Sequence, residues 1–192
     1  MVAMVSYPHD GQEDGRVVLK ICARAFLYAA AGATLVTRLD SRMSYGKVAP
    51  GAREAMLGLE RYVDSSGLEP SLLNLIKTRA SQINRCAWCL DMHTKDARTE
   101  GESEQRLYSL SAWRETPFYT PRERAALAWT EAVTLVAEGG VPDDVYEAAL
   151  EHFAEKELVD LTMAVVAING WNRLNVAFRT VPGDYKPRRR PV

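Results

Sequence analysis

The stretch from Leu161 to Gly170 carries no charged residue and is apolar on nearly every side of a helix. A helix of that kind is buried over most of its surface, so the rest of the chain must pack around it. It sits inside a longer helical pattern that begins near Glu155 and continues to about Phe178. No segment shows the sustained period-2 alternation of a half-buried strand, and the glycine and proline stops fall at helix-length intervals. The expectation is an all-α protein, with one compact helical domain over residues 44–182.

The surrounding helices are legible one at a time. Between Ala52 and Asp64, apolar residues recur at Ala55, Met56, Leu59, Tyr62 and Val63, and Ser65, Ser66 and Gly67 end the pattern. A second helix runs from Pro70, a residue suited to the first turn, to Ile83, with Leu72, Leu73, Ile76, Ala80 and Ile83 as its apolar stripe. A third opens near Cys86 and runs to about Thr99, before Gly101, and a short one covers Ser103 to Ser111. Thr120-Pro121-Arg122-Glu123 has the form of a helix start, with a capping Thr, a Pro behind it and a Glu three residues on. That helix is expected to reach about Glu138 and stop at Gly139-Gly140, and another follows from Pro142 through His152.

Hydrophobic residues make up 47% of the 192 residues and charged residues 26%, enough apolar material for a core. The formal net charge of -1 leaves no global basic field for nucleic acid or anionic lipid. Residues 183–192 read as a basic tail that ends in Arg188, Arg189 and Arg190. Residues 1–43 read as an N-terminal extension, disordered over 1–15 and a single helix over 16–39, with a linker from 40 to 50. Ala25 to Thr37 is uncharged and follows Arg16, Lys20 and Arg24, like parts of a secretory signal. Yet it is shorter than the roughly 20 residues that span a bilayer, and no small-x-small cleavage site follows. Met43 reads like an ordinary protein start, which makes 1–42 a poorly ordered or artefactual extension on this view. A cytoplasmic location without membrane contact is expected.

The chemistry concentrates in Ser81-Gln82-Ile83-Asn84-Arg85-Cys86-Ala87-Trp88-Cys89-Leu90-Asp91-Met92-His93. At about 100° per residue, Cys89 lies roughly 60° and His93 roughly 20° from Cys86 on a helix that opens at Cys86. Two thiols and an imidazole therefore share one face with Leu90 and Ala97, while Trp88, Asp91 and Lys95 point elsewhere. A Cys-x-x-Cys pair can close a disulfide within one turn, and a helix N-terminus favours the thiolate. His93 is placed to take a thiol proton. Redox chemistry, a zinc site and plain packing all remain open on spacing alone. Zinc is disfavoured because closed sites take four ligands: Cys22 lies in the extension, and His9 and His152 are isolated. His152 reads as a helix-end residue. No nucleotide-binding glycine pattern is present, and no cofactor or metal is expected.

The run SQINRCAWCLDMHTKDAR, residues 81–98, resembles the core of alkylhydroperoxidase AhpD-like proteins in the carboxymuconolactone decarboxylase family. A second stretch, AINGWNRLNVAFR over 167–179, resembles the family's last helix. The resemblance covers residues 44–182. It implies a compact AhpD-like helical fold, assembly as homotrimers or hexamers, and thiol-dependent peroxidase activity on organic hydroperoxides, an antioxidant function with a redox-active disulfide. It further implies that Cys89 attacks the peroxide, Cys86 resolves it, His93 relays protons and an external dithiol supplies electrons. Trp171 and Arg173 match buried positions near the active-site helix.

One departure from the family pattern stands out. A glutamate usually occurs twelve residues before the first cysteine, and Asn74 occupies that position. Asparagine hydrogen-bonds but does not accept a proton at neutral pH. Asn74 shares a polar stripe with Lys77, Thr78 and Ser81, which is either solvated or lines the site; Ser81 and Asn84 are further candidates for the lining or relay. If Asn74 lines the site, the work falls to His93 or to Glu69, and Asn74→Glu is expected to raise turnover. Two alternatives stand beside the peroxidase: a carboxymuconolactone decarboxylase-type lyase, and a non-enzymatic redox sensor or zinc-holding oligomer.

Overall fold

A computed structural model describes residues 40–187. The expectations for residues 1–39, including the disordered start, the helix over 16–39, Cys22 and His9, lie outside the described residues, as does the Arg188–Arg190 run.

The described residues are helical, with no strand among them. The main helices are α1 (Pro50–Asp64), α2 (Pro70–Ile83), α3 (Ala87–Thr99), α4 (Glu104–Ser109), α5 (Pro121–Thr134), α6 (Asp143–Leu150) and α7 (Glu155–Phe178). Their starts follow local chemistry. Pro50, Pro70 and Pro121 each occupy a first turn, where the missing N–H costs nothing. Thr120 and Glu123 form the reciprocal capping box that their spacing predicts. Gly101, after α3, adopts φ 98°, a conformation open to glycine, and Glu102 N–H closes the helix end on the Ala97 carbonyl.

The long helix α7 packs against α1, α2, α3, α5 and α6. Its Leu161, Ala164, Val165, Ala167 and Ile168 are buried, as its composition requires, while Val166 faces outward. The main core joins Leu161, Ala164, Val165 and Ala167 to Val63 of α1, Leu72, Leu73 and Ile76 of α2, Ala126 and Trp129 of α5, and Phe153. A second cluster sets Leu75 against Leu110, Trp113, Tyr119 and Leu127. Leu75 thus packs into a different cluster from Leu72 and Ile76, and α2 is covered on nearly all sides.

Several segments differ from the sequence expectation. The helix from Pro121 ends at Thr134, and a separate turn covers Val136–Gly139. The segment 40–50 contains a helical turn, Tyr45–Val48, and Arg42 N–H bonds to the Phe178 carbonyl at 2.9 Å. Residues 183–187 pack on α3: Gly183 N–H donates to Asp91 at 3.0 Å, and Lys95 Nζ donates to the carbonyls of Gly183 and Tyr185, both at 3.0 Å. These contacts join residues about 90 positions apart, beyond any local signal.

Candidate functional site

The α2–α3 corner builds the site. Asn84 caps α2, Arg85 turns the chain with φ 55°, and Cys86 caps α3. A non-glycine residue in the left-handed region is uncommon, and here it reverses the chain so that Cys86 Sγ meets the first α3 amides. Cys86 and Cys89 are joined in a disulfide, with Cα atoms 5.4 Å apart, and Cys86 Sγ also accepts the Cys89 N–H at 3.4 Å.

Cys86, Cys89, His93 and Ala97 are all buried on one side of α3, the face the spacing predicts. The two cysteines pack with Ala80 and Ile168, and Trp88 and Trp171 flank them. Trp88 was expected to point elsewhere. It instead lines the cavity together with Met92 and Asp96, four and eight residues on, so the cavity extends past the thiol face of α3.

That cavity, of about 630 Å³, is lined by Cys89, Trp88, Met92, His93 and Asp96 of α3; Arg53, Leu57, Glu60 and Asp64 of α1; Asn74 and Lys77 of α2; and Ile168 and Trp171 of α7. Tyr45 and Tyr185 complete it, and Tyr185 stands edge-on to Trp88 with ring centroids 6.2 Å apart. Cys89 reaches this space, whereas Cys86 sits outside its lining.

His93 is 5% exposed, and its Nδ1 is buried without a hydrogen-bond partner among the described residues. Burial first, and the nearby Lys77 charge second, push its pKa down to about 3. The imidazole is therefore neutral at physiological pH.

The polar stripe of α2 is buried rather than solvated: Asn74, Lys77, Thr78 and Ser81 are each less than 9% exposed. Its partners come from other helices. Lys77 Nζ donates to Glu60 Oε2 at 2.6 Å, and Trp171 Nε1 donates to Glu60 Oε1 at 3.0 Å. Asn74 lines the cavity but donates its Nδ2 to Glu100 Oε2 at 2.6 Å. Ser81 and Asn84 lie outside the lining, in an amide network behind the cysteines. Asn172 Nδ2 donates to Ser81 Oγ at 3.0 Å, and Asn84 Nδ2 donates to the side-chain oxygens of Asn169 and Asn172, both at 2.9 Å. Asn175 Nδ2 points at Cys89 Sγ from 3.4 Å, and its Oδ1 accepts from Tyr45 Oη at 3.2 Å.

Several expectations need correction. Glu69 does not approach the cavity; it is exposed and pairs with Arg122 at 3.1 Å. Arg173 is exposed and bonds back to Asn169, whereas Trp171 is half-buried and lines the cavity. The residue that sequence reasoning missed is Glu60. The available signal was its place on α1, about 40° from Met56 and about 60° from Val63 at 100° per residue, a charge inside an apolar stripe. Among the described residues, no group of three or more His, Cys, Asp or Glu side chains is arranged to hold a metal ion.

The sequence profile of the Carboxymuconolactone decarboxylase family matches residues 50–132. The uncharacterized protein YdfG of Bacillus subtilis (strain 168) is 45% identical over 139 residues, covering 72% of this chain and 95% of that one. The chain belongs to the carboxymuconolactone decarboxylase family. A solved protein of unknown function from Agrobacterium tumefaciens, named as a candidate AhpD antioxidant-defence protein, is 49% identical, with a TM-score of 0.74 over 76% of this chain and 100% of that one. The AhpD core of a peroxidase-related protein from Ralstonia eutropha JMP134 shares the fold, with a TM-score of 0.64 at 20% identity over 72% of this chain and 74% of that one. The fold of this carboxymuconolactone decarboxylase family member is AhpD-like. Family and fold together support a peroxidase-related or decarboxylase-like function. No helix among the described residues is long and apolar enough to cross a membrane.

Proposed function

We propose that this protein is a thiol-dependent peroxidase that reduces organic hydroperoxides. The observation that carries the reading is that Cys89, joined to Cys86 across the first turn of α3, and the buried His93, whose Nδ1 is unpartnered among the described residues, line one cavity. Cys89 is the attacking sulfur because it lines that cavity, and Cys86, behind it at the cap, is the resolving one.

In the reduced protein Cys89 has released its proton to solvent, and His93 is neutral. The thiolate attacks the terminal peroxide oxygen. An S–O bond forms, the O–O bond breaks, and the departing alkoxide leaves as the alcohol with a proton from solvent water, relayed through the neutral His93 ring. The Cys86 thiol then attacks the sulfenic sulfur. The S–S bond forms, and hydroxide leaves with the Cys86 proton as water. An external dithiol supplies two electrons and two protons to restore both thiols. Assembly as a homotrimer or hexamer, in the cytoplasm, belongs to the same proposal.

The test is a free-thiol titration of reduced protein before and after one equivalent of cumene hydroperoxide. Loss of two thiols per chain, restored by dithiothreitol and absent in Cys89→Ser, supports the peroxidase. Unchanged thiols, or a Cys89→Ser variant that consumes peroxide at the wild-type rate, overturns it.

A further inference from the structure

A thiolate at neutral pH needs a positive charge or a set of donors close by. Around Cys89 the hydrogen-bond donor is neutral: Asn175 Nδ2, at 3.4 Å. His93, four residues along the same face, is held uncharged by its burial and does not pair with a thiolate as imidazolium. The charged and titratable groups facing Cys89 across the cavity are Arg53, Glu60 and Asp64 from α1, Lys77 from α2, His93 and Asp96 from α3, and the Tyr45 and Tyr185 hydroxyls from the flanking segments.

Two of these are cations. Arg53 is exposed at the cavity edge, where water screens it. Lys77 is 6% exposed and rises from the middle of α2, the helix that packs on α3. Its ammonium is clamped by Glu60 at 2.6 Å, and the Trp171 indole N–H holds the other Glu60 oxygen at 3.0 Å. The pair is therefore a fixed dipole. Its positive end is the one whose field reaches His93, since Lys77 acts on that imidazole.

We propose that Lys77, held in place by Glu60 and Trp171 inside the Cys89–His93 cavity, is the positioning charge that keeps the Cys89 sulfur ionised in the reduced protein. Glu60 then serves the site as the anchor of this cation and not as a substitute for the missing carboxylate at position 74. Neutral His93 is left to move protons. The division rests on the peroxidase reading for its purpose, but it concerns the thiol itself.

The experiment reads the thiol directly. Reduced protein is alkylated with iodoacetamide across pH 5 to 10, and modification of Cys89 is followed by mass spectrometry in a Cys86→Ser background. Lys77→Met is expected to raise the midpoint by about one unit, which is about tenfold slower alkylation at pH values below both midpoints, while Lys77→Arg stays near the parent. Glu60→Gln, which leaves the ammonium uncompensated, is expected to lower the midpoint. A folded Lys77→Met with an unmoved midpoint overturns the proposal. If that variant does not fold, an unmoved or raised midpoint in Glu60→Gln does the same. Peroxide consumption is measured separately: a shifted midpoint in a protein that ignores peroxide sustains the electrostatic role and removes the peroxidase reading.

Discussion

Glu60 and Lys77 form an ion pair at 2.6 Å, with side chains 20% and 8% exposed, inside the cavity that holds Cys89 and His93. The two residues lie on different helices, so the contact also ties α1 to α2. Breaking such a pair from one side strands a charge, whereas removing both partners does not. Lys77→Met is expected to cost about 2 kcal/mol of stability and Glu60→Leu a similar amount, with the double variant losing clearly less than their sum. Urea denaturation of the four proteins gives the coupling, and simple additivity would contradict a working pair.

Protonation of His93 carries a stability signature. Its folded pKa, about 3, lies below the ordinary 6.5. The unfolded chain therefore binds the extra proton first, and stability falls as pH drops from 6.5 toward 3. This imidazole contributes a loss of about 2.5 kcal/mol between pH 7 and 4.5. His93→Gln should flatten that part of the stability–pH curve, as measured by urea denaturation at each pH.

Asn74 donates its amide to Glu100 Oε2 at 2.6 Å. Restoring a glutamate there sets one carboxylate against another, so the simple expectation of a gain in turnover from Asn74→Glu changes. The variant is expected to melt about 3 °C lower at pH 7.5, with the deficit shrinking at pH 5 and vanishing when Glu100 is also changed to Gln. Thermal scans at the two pH values decide it, and a deficit independent of pH would rule out the charge contact.

Arg85 turns the chain into Cys86 with φ 55° and an exposed side chain. Glycine adopts that conformation without a Cβ penalty. Arg85→Gly is expected to stabilise the protein by about 0.5–1 kcal/mol, read as a higher urea midpoint. Arg85→Val should move it the other way.

Tyr185 closes one side of the cavity through its hydroxyl bond to Asp96 at 2.8 Å and its edge contact with Trp88. Truncation after Pro182 should open that side. A bulky maleimide is then expected to modify reduced Cys89 several-fold faster, with iodoacetamide little changed. Equal acceleration of both reagents would point to general loosening instead.

Much of the scaffold was readable before any coordinates. The Thr120–Glu123 cap, the proline starts and the Gly101 stop act over three or four residues, and each appears where its chemistry puts it. The shared face of Cys86, Cys89 and His93 is equally local, since helical geometry alone aligns residues three, four and seven apart. Trp88 marks the edge of that reasoning: it lies about 100° from Cys89 on the helix, and it reaches the cavity wall because the cavity is wider than the thiol face.

The sequence by itself determined a helical bundle wrapped around the uncharged middle of α7, and the thiol–imidazole cluster at the head of α3. Only the tertiary structure decided what faces that cluster. Glu60 meets Lys77 across 17 residues and Trp171 across 111, Asn175 reaches Cys89 across 86, and Tyr185 reaches Asp96 across 89. A local pattern reports which residues lie on one side of a helix. Which other helix covers that side is settled by how the apolar stripes pack, and a buried lysine and a solvated one look alike until that packing is known.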